Sequence, residues 1–275
     1  MKTEEMAYSV LMSVYAKEEA RYFTQSIDSM LKQTIPPTDF VLICDGPLTE
    51  SLDRVIEEKV QENPGLFQII RLEKSGGLGN ALAMGLPRCR CEFVARMDSD
   101  DISEDCRCEE QLHILAARKA AIVGSHIVEF EGSITNEKAI RNVPETNTQI
   151  RHFARRRNPF NHPSVMFAKD AVLKVGNYQD CKGFEDYYLW VRLLKAGYEG
   201  YNIQKNLVHM RTDAGMYERR GSASYAWSAL KARWKIHRTG YSSLMDFMIS
   251  GFGQLLVSLM PTGLRRKLYI RTLRK

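Results

Sequence analysis

Long hydrophobic runs are missing from this 275-residue sequence. The opening MKTEE is polar, and the apolar run at 8–15 has the length of a core strand rather than of a signal peptide. We therefore expect a chain that stays in the cytoplasm. The most apolar stretch near the other end, Leu244 to Met260, includes Asp246 and Gln254. It falls short of the roughly 20 apolar residues that a membrane span needs. Zinc-type C-x₂₋₄-C spacing is also missing. The six cysteines (Cys44, Cys89, Cys91, Cys106, Cys108, Cys181) include only C-x-C pairs, a poorer chelate. Without an export signal they read as reduced thiols, and as small buried residues rather than a disulfide framework. No G-x-S-x-G elbow is present, and no P-loop Lys-Ser/Thr follows the glycines at 76, 77 and 79. Internal repeats and low-complexity linkers are absent too.

What is present is an alternation. YSVLMSVY (8–15), DFVLIC (39–44), FQIIRL (67–72) and EFVARM (92–97) read as buried strands. Between them lie a helix with Phe23, Ile27, Met30 and Leu31 on one face, ended by Pro36 and Pro37, and a second with Leu52, Val55, Ile56 and Val60. A glycine-rich turn and a short helix, Gly79 to Gly85, precede the fourth strand. Strands alternating with helices predict parallel βαβ units in an open α/β sheet, with ligands beyond the carboxyl ends of the strands. Further on, AIVGSHIVEF (121–130) and SVMFA (164–168) read as strands, and EDYYLWVRLLKAG (185–197) as a helix that buries Leu189, Trp190, Leu193 and Leu194. From about Tyr225 the chain reads as helical and increasingly basic.

Acids collect where the fourth strand ends. Asp98, Asp100 and Asp101 fall within four positions, at the edge that Ser13 to Tyr15 and Asp45 also reach. Carboxylates two apart repel unless a cation joins them, and Mg²⁺ commonly uses one or two carboxylates plus substrate phosphates. D-x-D at a strand end is therefore a candidate metal-phosphate site; the plain alternative is an acidic turn or N-cap. Glu185-Asp186 opens a helix, where a general base and simple complementarity to the helix dipole are both open readings. The formal charge is +6, with a cluster at Arg155, Arg156 and Arg157 and six basic residues without an acid among the last eleven. Such a tail suits an anionic partner or a solvated charged face. His162 could face a substrate or hold a loop, and Trp190 reads as core.

SVLMSVYAKEE, VLICDGP, GGLGNALAMGL, VARMDSDD, NPFNHPSVMF and GFEDYYLW occur in an order that resembles the family 2 glycosyltransferases, over roughly residues 8–215. The likeness is strongest to bacterial exopolysaccharide enzymes of the amylovoran type. It implies a GT-A fold: a Rossmann-like, open mixed sheet flanked by helices, here with a helical basic C-terminal extension. The implied division is a catalytic domain over 1–220, with a nucleotide-binding half to about 105 and an acceptor-binding half from about 106, followed by the extension at 221–275. The resemblance implies a nucleotide sugar, a UDP-sugar by family frequency, held by Ser13, Val14, Tyr15, Glu18, Asp45, Gly79, Asp98 and Ser99. Asp100 with Asp98 would bind Mn²⁺ or Mg²⁺, and Asp186 would be the base of an inverting transfer. Glu185, His162, His209 and Arg211 are candidates for the acceptor or the diphosphate.

The implied acceptor is a glycan on undecaprenyl diphosphate at the inner membrane surface, with no nucleic-acid partner. The tail LMDFMISGFGQLLVSLMPTGLRRKLYIRTLRK (244–275) suits an interfacial helix there, or a helix packed on the domain or a second subunit. The chain departs from the family pattern at Ala16 and Ala83, where Asn is frequent, and at Cys44, where many members have Asp. Other classes fit less well. A sugar-nucleotide pyrophosphorylase needs a glycine-rich basic loop after the first strand, and a phosphatase of the D-x-D-x-T/V type needs its acids on that strand. A non-catalytic membrane- or polyanion-binding module leaves the acids at the strand ends unexplained.

Overall fold

The computed structural model describes residues 7–118, 120–212 and 222–260. Strands β1 (Tyr8–Val14), β2 (Asp39–Cys44), β3 (Phe67–Arg71) and β4 (Phe93–Asp98) lie in the order β3-β2-β1-β4, all parallel. Alternate residues feed two cores, as the two-residue period of a strand requires. Tyr8, Val10, Met12, Phe40 and Leu42 face α1 (Ala20–Leu31) and α2 (Glu50–Glu62), meeting Phe23, Ile27, Leu52 and Ile56. Leu11, Val41 and Ile43 face α3 (Leu78–Gly85), meeting Ala81 and Leu82. Thr49 caps α2 by accepting from the Leu52 amide, and Glu50 and Asp53 sit in its first turn, where the helix dipole favours acids.

Past β4 the sheet becomes mixed. In chain order come β5 (Ile102–Ser103), α4 (Arg107–Arg118), β6 (Ile122–Phe130), β7 (Glu137–Arg141), α5 (Asn147–Phe153), β8 (Met166–Ala168), α6 (Lys169–Lys174), α7 (Glu185–Lys195) and β9 (Gly200–Arg211). The sheet continues β4-β8-β6-β9-β5, with β7 on β6 and β8 antiparallel to both its neighbours. The strand expected at 164–168 is shorter, because Pro163 starts a 3₁₀ turn over His162–Ser164. Helix α7 stops at Gly197, whose φ of +91° allows the amides of Gly197 and Tyr198 to reach the carbonyls of Leu194 and Leu193. Trp190 is core, in edge contact with Phe160. All six cysteines are free, with Cys108 fully buried.

Two helices close the described chain, α8 (Ala223–Arg238) and α9 (Leu244–Leu259). Ile236 of α8 packs on Tyr187 and Val191 of α7, and Leu230 closes on Gly251 of α9. Arg155 and Arg156, from the basic cluster at 155–157, hold Asp246 of α9 at 3.6 and 2.6 Å. The opposite face of the hairpin is open: Trp227, Trp234, Leu244, Met245, Met248, Ile249, Phe252 and Leu256 are all exposed. No described helix is long and apolar enough to cross a membrane. The basic run from Arg265 onward lies outside the described residues.

Candidate active site

Register places the chemistry. Ser13 pairs with Asp98 and Val14 with Cys44, so β1, β2 and β4 deliver their carboxyl ends to one edge. A cleft of about 330 Å³ opens there, lined by Ser13, Tyr15, Glu18, Asp45, Ser75, Gly77, Leu78, Asp98, Ser99 and Asp100. Eight of these ten are acidic or polar residues or a backbone-exposing glycine, a composition suited to phosphate, ribose and metal rather than to an apolar ligand. Two residues of the expected nucleotide set are elsewhere. Val14 points into the core, as the alternation between Ser13 and Tyr15 requires. Gly79 stands against Glu185; a Cβ there would come within 2.5 Å of the Glu185 Cγ. Asp45 lines the cleft, but its carboxylate also accepts from the Ser75 hydroxyl and the amides of Gly76 and Gly77, at 2.8, 2.7 and 3.0 Å. It thereby holds the glycine turn in place.

The three acids after β4 have three different environments. Both oxygens of Asp98 accept from the guanidinium of Arg96, Nη1 at 2.6 Å and Nη2 closer still. Arg96 is itself buried. Asp101 is buried as well; its Oδ1 accepts from the Arg211 amide at 2.8 Å, while Oδ2 has no hydrogen-bond partner among the described residues. Burial, and then Asp100 and Asp98, push its pKa well up, so it is a structural acid that favours its protonated form. Asp100 faces the cleft. Burial, followed by the charges of Asp98 and Glu18, pushes its pKa up to about 7. Glu18 is tied to the same turn, its Oε2 accepting from the Ser99 hydroxyl at 2.9 Å.

This excess of negative charge suits a hard divalent cation. Among the described residues no three His, Cys, Asp or Glu side chains converge as a ready-made metal cage. Mg²⁺ and Mn²⁺ do not need one when a diphosphate completes the shell. Asp100 is the carboxylate free to ligate, with Asp98 beside it and already engaged by Arg96. The donor set therefore fits an ion that arrives with phosphate oxygens.

Asp186 lies in the first turn of α7, where its Oδ2 accepts from the Asn158 side-chain amide at 2.6 Å. Burial raises its pKa, opposed by the Tyr187 amide and by Asn158. The result is a carboxylate held in one orientation and made more basic than usual. Neighbouring Glu185 accepts from the Gly183 amide at 3.0 Å and abuts Gly79, which follows the cleft-lining Leu78. The helix that carries Asp186 therefore adjoins the cleft. His162 shares a 3.0 Å hydrogen bond with the Tyr178 hydroxyl, and burial drives its pKa well below the ordinary range, so it is a neutral packing group.

His209 and Arg211 do not line the cleft. His209 meets Glu104 at 2.5 Å across the β5–β9 pair. Arg211 clamps the acidic turn from outside: its Nε donates to the Asp100 carbonyl at 3.0 Å and its guanidinium lies 3.6 Å from the Tyr22 ring centre. Arg96 and Asn158 were missed by sequence reasoning. Arg96 had a signal, since two-residue alternation puts it on the same strand face as Asp98. Asn158 had only its place at the head of NPFNHP, with nothing to link it to residue 186.

The model of the family described as "Glycosyl transferase family 2" matches residues 9–181. The UDP-Gal:alpha-D-GlcNAc-diphosphoundecaprenol beta-1,3-galactosyltransferase of Escherichia coli is 35% identical over 276 residues, covering 100% of this chain and 99% of that protein. An amylovoran biosynthesis glycosyltransferase of Erwinia amylovora is 34% identical, covering 95% and 97%. Among solved structures, Staphylococcus aureus TarS (residues 1–349, with UDP-GlcNAc) superposes with a TM-score of 0.62 at 17% identity, over 83% of this chain and 66% of that one. A mannosyltransferase from Pyrobaculum calidifontis, with GDP-Man and Mn²⁺, gives 0.63 at 13% identity, over 96% and 81%. These structures share the GT-A fold with the chain.

Proposed function

Because the chain belongs to glycosyl transferase family 2, we propose that it transfers a sugar, with inversion, from a nucleotide diphosphate sugar to a lipid-linked oligosaccharide during bacterial surface polysaccharide synthesis. The observation that carries this reading is the crowding of Asp98, Asp100 and Glu18 at the carboxyl edge of the sheet, beside a helix that presents Asp186. The likeness to the Escherichia coli galactosyltransferase makes UDP-galactose the first donor to test, and a GlcNAc-diphospholipid the first acceptor.

In this reading Ser13, Tyr15 and Glu18 bound the nucleoside end of the cleft. Asp45 keeps the turn at 75–77 in shape, so that the Gly77 backbone lies open to the donor. Asp100, with Asp98, would hold Mn²⁺ or Mg²⁺, which supplies neutralisation of the departing diphosphate. Asp186, oriented by Asn158, takes the proton of the acceptor hydroxyl as that oxygen attacks the anomeric carbon from the face opposite the leaving group. One displacement inverts the centre and needs no covalent enzyme intermediate. The nucleotide half ends near residue 105, and the acceptor half, from about 106 to 220, supplies Asn158 and α7.

We also place the protein on the inner face of the cytoplasmic membrane. The exposed stripe of α9 and the two tryptophans of α8 support this, since a helix with one buried and one exposed apolar face suits the interface of a bilayer. Sedimentation with anionic phospholipid vesicles tests it: Met248→Asp/Phe252→Asp should stay in the supernatant while wild type pellets. Equal pelleting by both would refute this placement.

The central test is a thermal-shift panel of UDP, GDP, dTDP and UDP-sugars, with and without Mn²⁺, on wild type and Asp100→Ala. Stabilisation that needs both Mn²⁺ and Asp100 supports the reading by mass action. No stabilisation by any nucleotide overturns it.

A further inference from the structure

A second cleft, of about 370 Å³, lies between residues 180–182 and helix α8. Lys182, Lys231 and Lys235 line it with Ser228, and Asp180 is the one carboxylate among its lining residues. Two of these lysines are positioned by aromatic rings. The Lys231 Nζ lies 5.4 Å from the Trp227 ring centre and the Lys235 Nζ lies 4.6 Å from that of Tyr188. Lys235 also donates to the Asp180 carbonyl. None of the three forms an ion pair among the described residues. Three ammonium groups, two of them over aromatic rings and none ion-paired among the described residues, are arranged for an incoming anion.

Its location suggests which anion. On one side the loop at 180–184 runs directly into Glu185-Asp186, and the Gly183 amide is bonded to the Glu185 carboxylate. On the other side Trp227 begins the exposed apolar face of the α8–α9 hairpin. Proton-accepting carboxylate, cationic cleft and apolar face therefore follow one another in space. A lipid-linked acceptor carries the matching sequence of groups: sugar hydroxyl, diphosphate, hydrocarbon chain.

We infer that Lys182, Lys231 and Lys235 form a binding site for the diphosphate of the lipid-linked acceptor, set between the base at Asp186 and the apolar face of the C-terminal hairpin. This rests on the glycosyltransferase reading above. Ammonium groups on flexible stems bind phosphate oxygens as point charges, and several of them can share the oxygens of one diphosphate. The site also explains why α8, outside the sheet, packs on the helix that carries the base.

The test uses the full chain and farnesyl diphosphate, farnesyl monophosphate and farnesol as probes, with affinity read by titration calorimetry and by Trp227 fluorescence. Wild type should bind the diphosphate more tightly than the monophosphate or the alcohol. Lys182→Gln/Lys231→Gln/Lys235→Gln should weaken diphosphate binding about tenfold or more, as loss of several charge-assisted contacts implies. It should leave the melting temperature and the Mn²⁺-nucleotide stabilisation unchanged. Equal diphosphate affinity in wild type and the triple variant overturns the inference, as does indifference of wild type to the head group. Displacement of the probe by UDP would place it in the donor cleft and equally overturn it. If the variant loses only binding to anionic vesicles, the lysines serve the bilayer surface and not the acceptor. Failure of the glycosyltransferase reading has its own signature, absence of Asp100-dependent nucleotide stabilisation, so the two failures are distinguishable.

Discussion

Replacing Asp100 by Asn should make the metal-free protein more stable while destroying its proposed function. In the folded chain this carboxyl is pushed up to about 7 from its ordinary 3.8, because it is half-buried and lies beside Asp98 and Glu18. Below pH 3.8 the group is protonated both folded and unfolded, and nothing is lost. Between 3.8 and about 7 the unfolded chain ionises while the folded one keeps its proton, so stability falls as pH rises. Above about 7 the loss is complete, with a ceiling of about 4 kcal/mol. Asp100 faces a solvated cleft, and screening there reduces the expected gain of the neutral variant to about 2 kcal/mol. In a chain of this size that is roughly 4 °C in melting temperature. The assay is thermal unfolding of wild type and Asp100→Asn at pH 5 and pH 8 in chelator. The variant should melt higher at pH 8, with less than half that advantage at pH 5. Adding Mn²⁺ and a UDP-sugar at pH 8 should raise wild type alone. A variant that melts no higher than wild type at pH 8, or whose advantage is equal at both pH values, refutes the argument that repulsion at this turn awaits a cation.

Other perturbations probe separate parts of the construction. Asp186→Asn should lower kcat by about 10²–10⁴-fold, the range for loss of a general base, with donor affinity measured by calorimetry unchanged. Arg96→Met removes the buried partner of Asp98 and leaves uncompensated acids at the end of β4. It should cost about 2–4 kcal/mol in urea unfolding. Gly85→Ala would drive a Cβ into the side chains of Ile43 and Leu11, the latter at 2.8 Å, where α3 lies on the sheet. Overpacking should outweigh the better helix propensity and destabilise by about 1–2 kcal/mol, read in the same unfolding assay.

The nucleotide half of the fold was legible because its signals are local. Strand alternation at Tyr8–Val14 and Asp39–Cys44 shows which side chains face each core, and the helical spacing of Phe23, Ile27 and Met30 shows which face of α1 lies on the sheet. The two-residue β5 is too short for any period to emerge, β7 has three of five residues charged, and of the run read at 164–168 only three residues pair, as β8. They become strands because the long β6 and β9, and the edge of β4, offer them unpaired backbone.

The site divides in the same way. That Asp98, Asp100, Asp45 and Ser13 share one edge follows from sequence, since parallel strands end on the same side. The separate tasks of three neighbouring acids do not follow from it. Asp98 lines the cleft while bound to Arg96, Asp101 is sealed under the Arg211 amide, and Asp100 lines the cleft with its carboxyl pushed up by burial and by two neighbouring acids. Likewise Arg211, His209 and His162 kept polar side chains compatible with a ligand role until packing assigned them to Asp100's backbone, Glu104 and Tyr178. Sequence by itself determined the residue types and the strand ends that carry them. Tertiary structure decided protonation and partnership, because burial and charges brought from distant segments set a carboxylate's free energy, and neither is a property of its near neighbours along the chain.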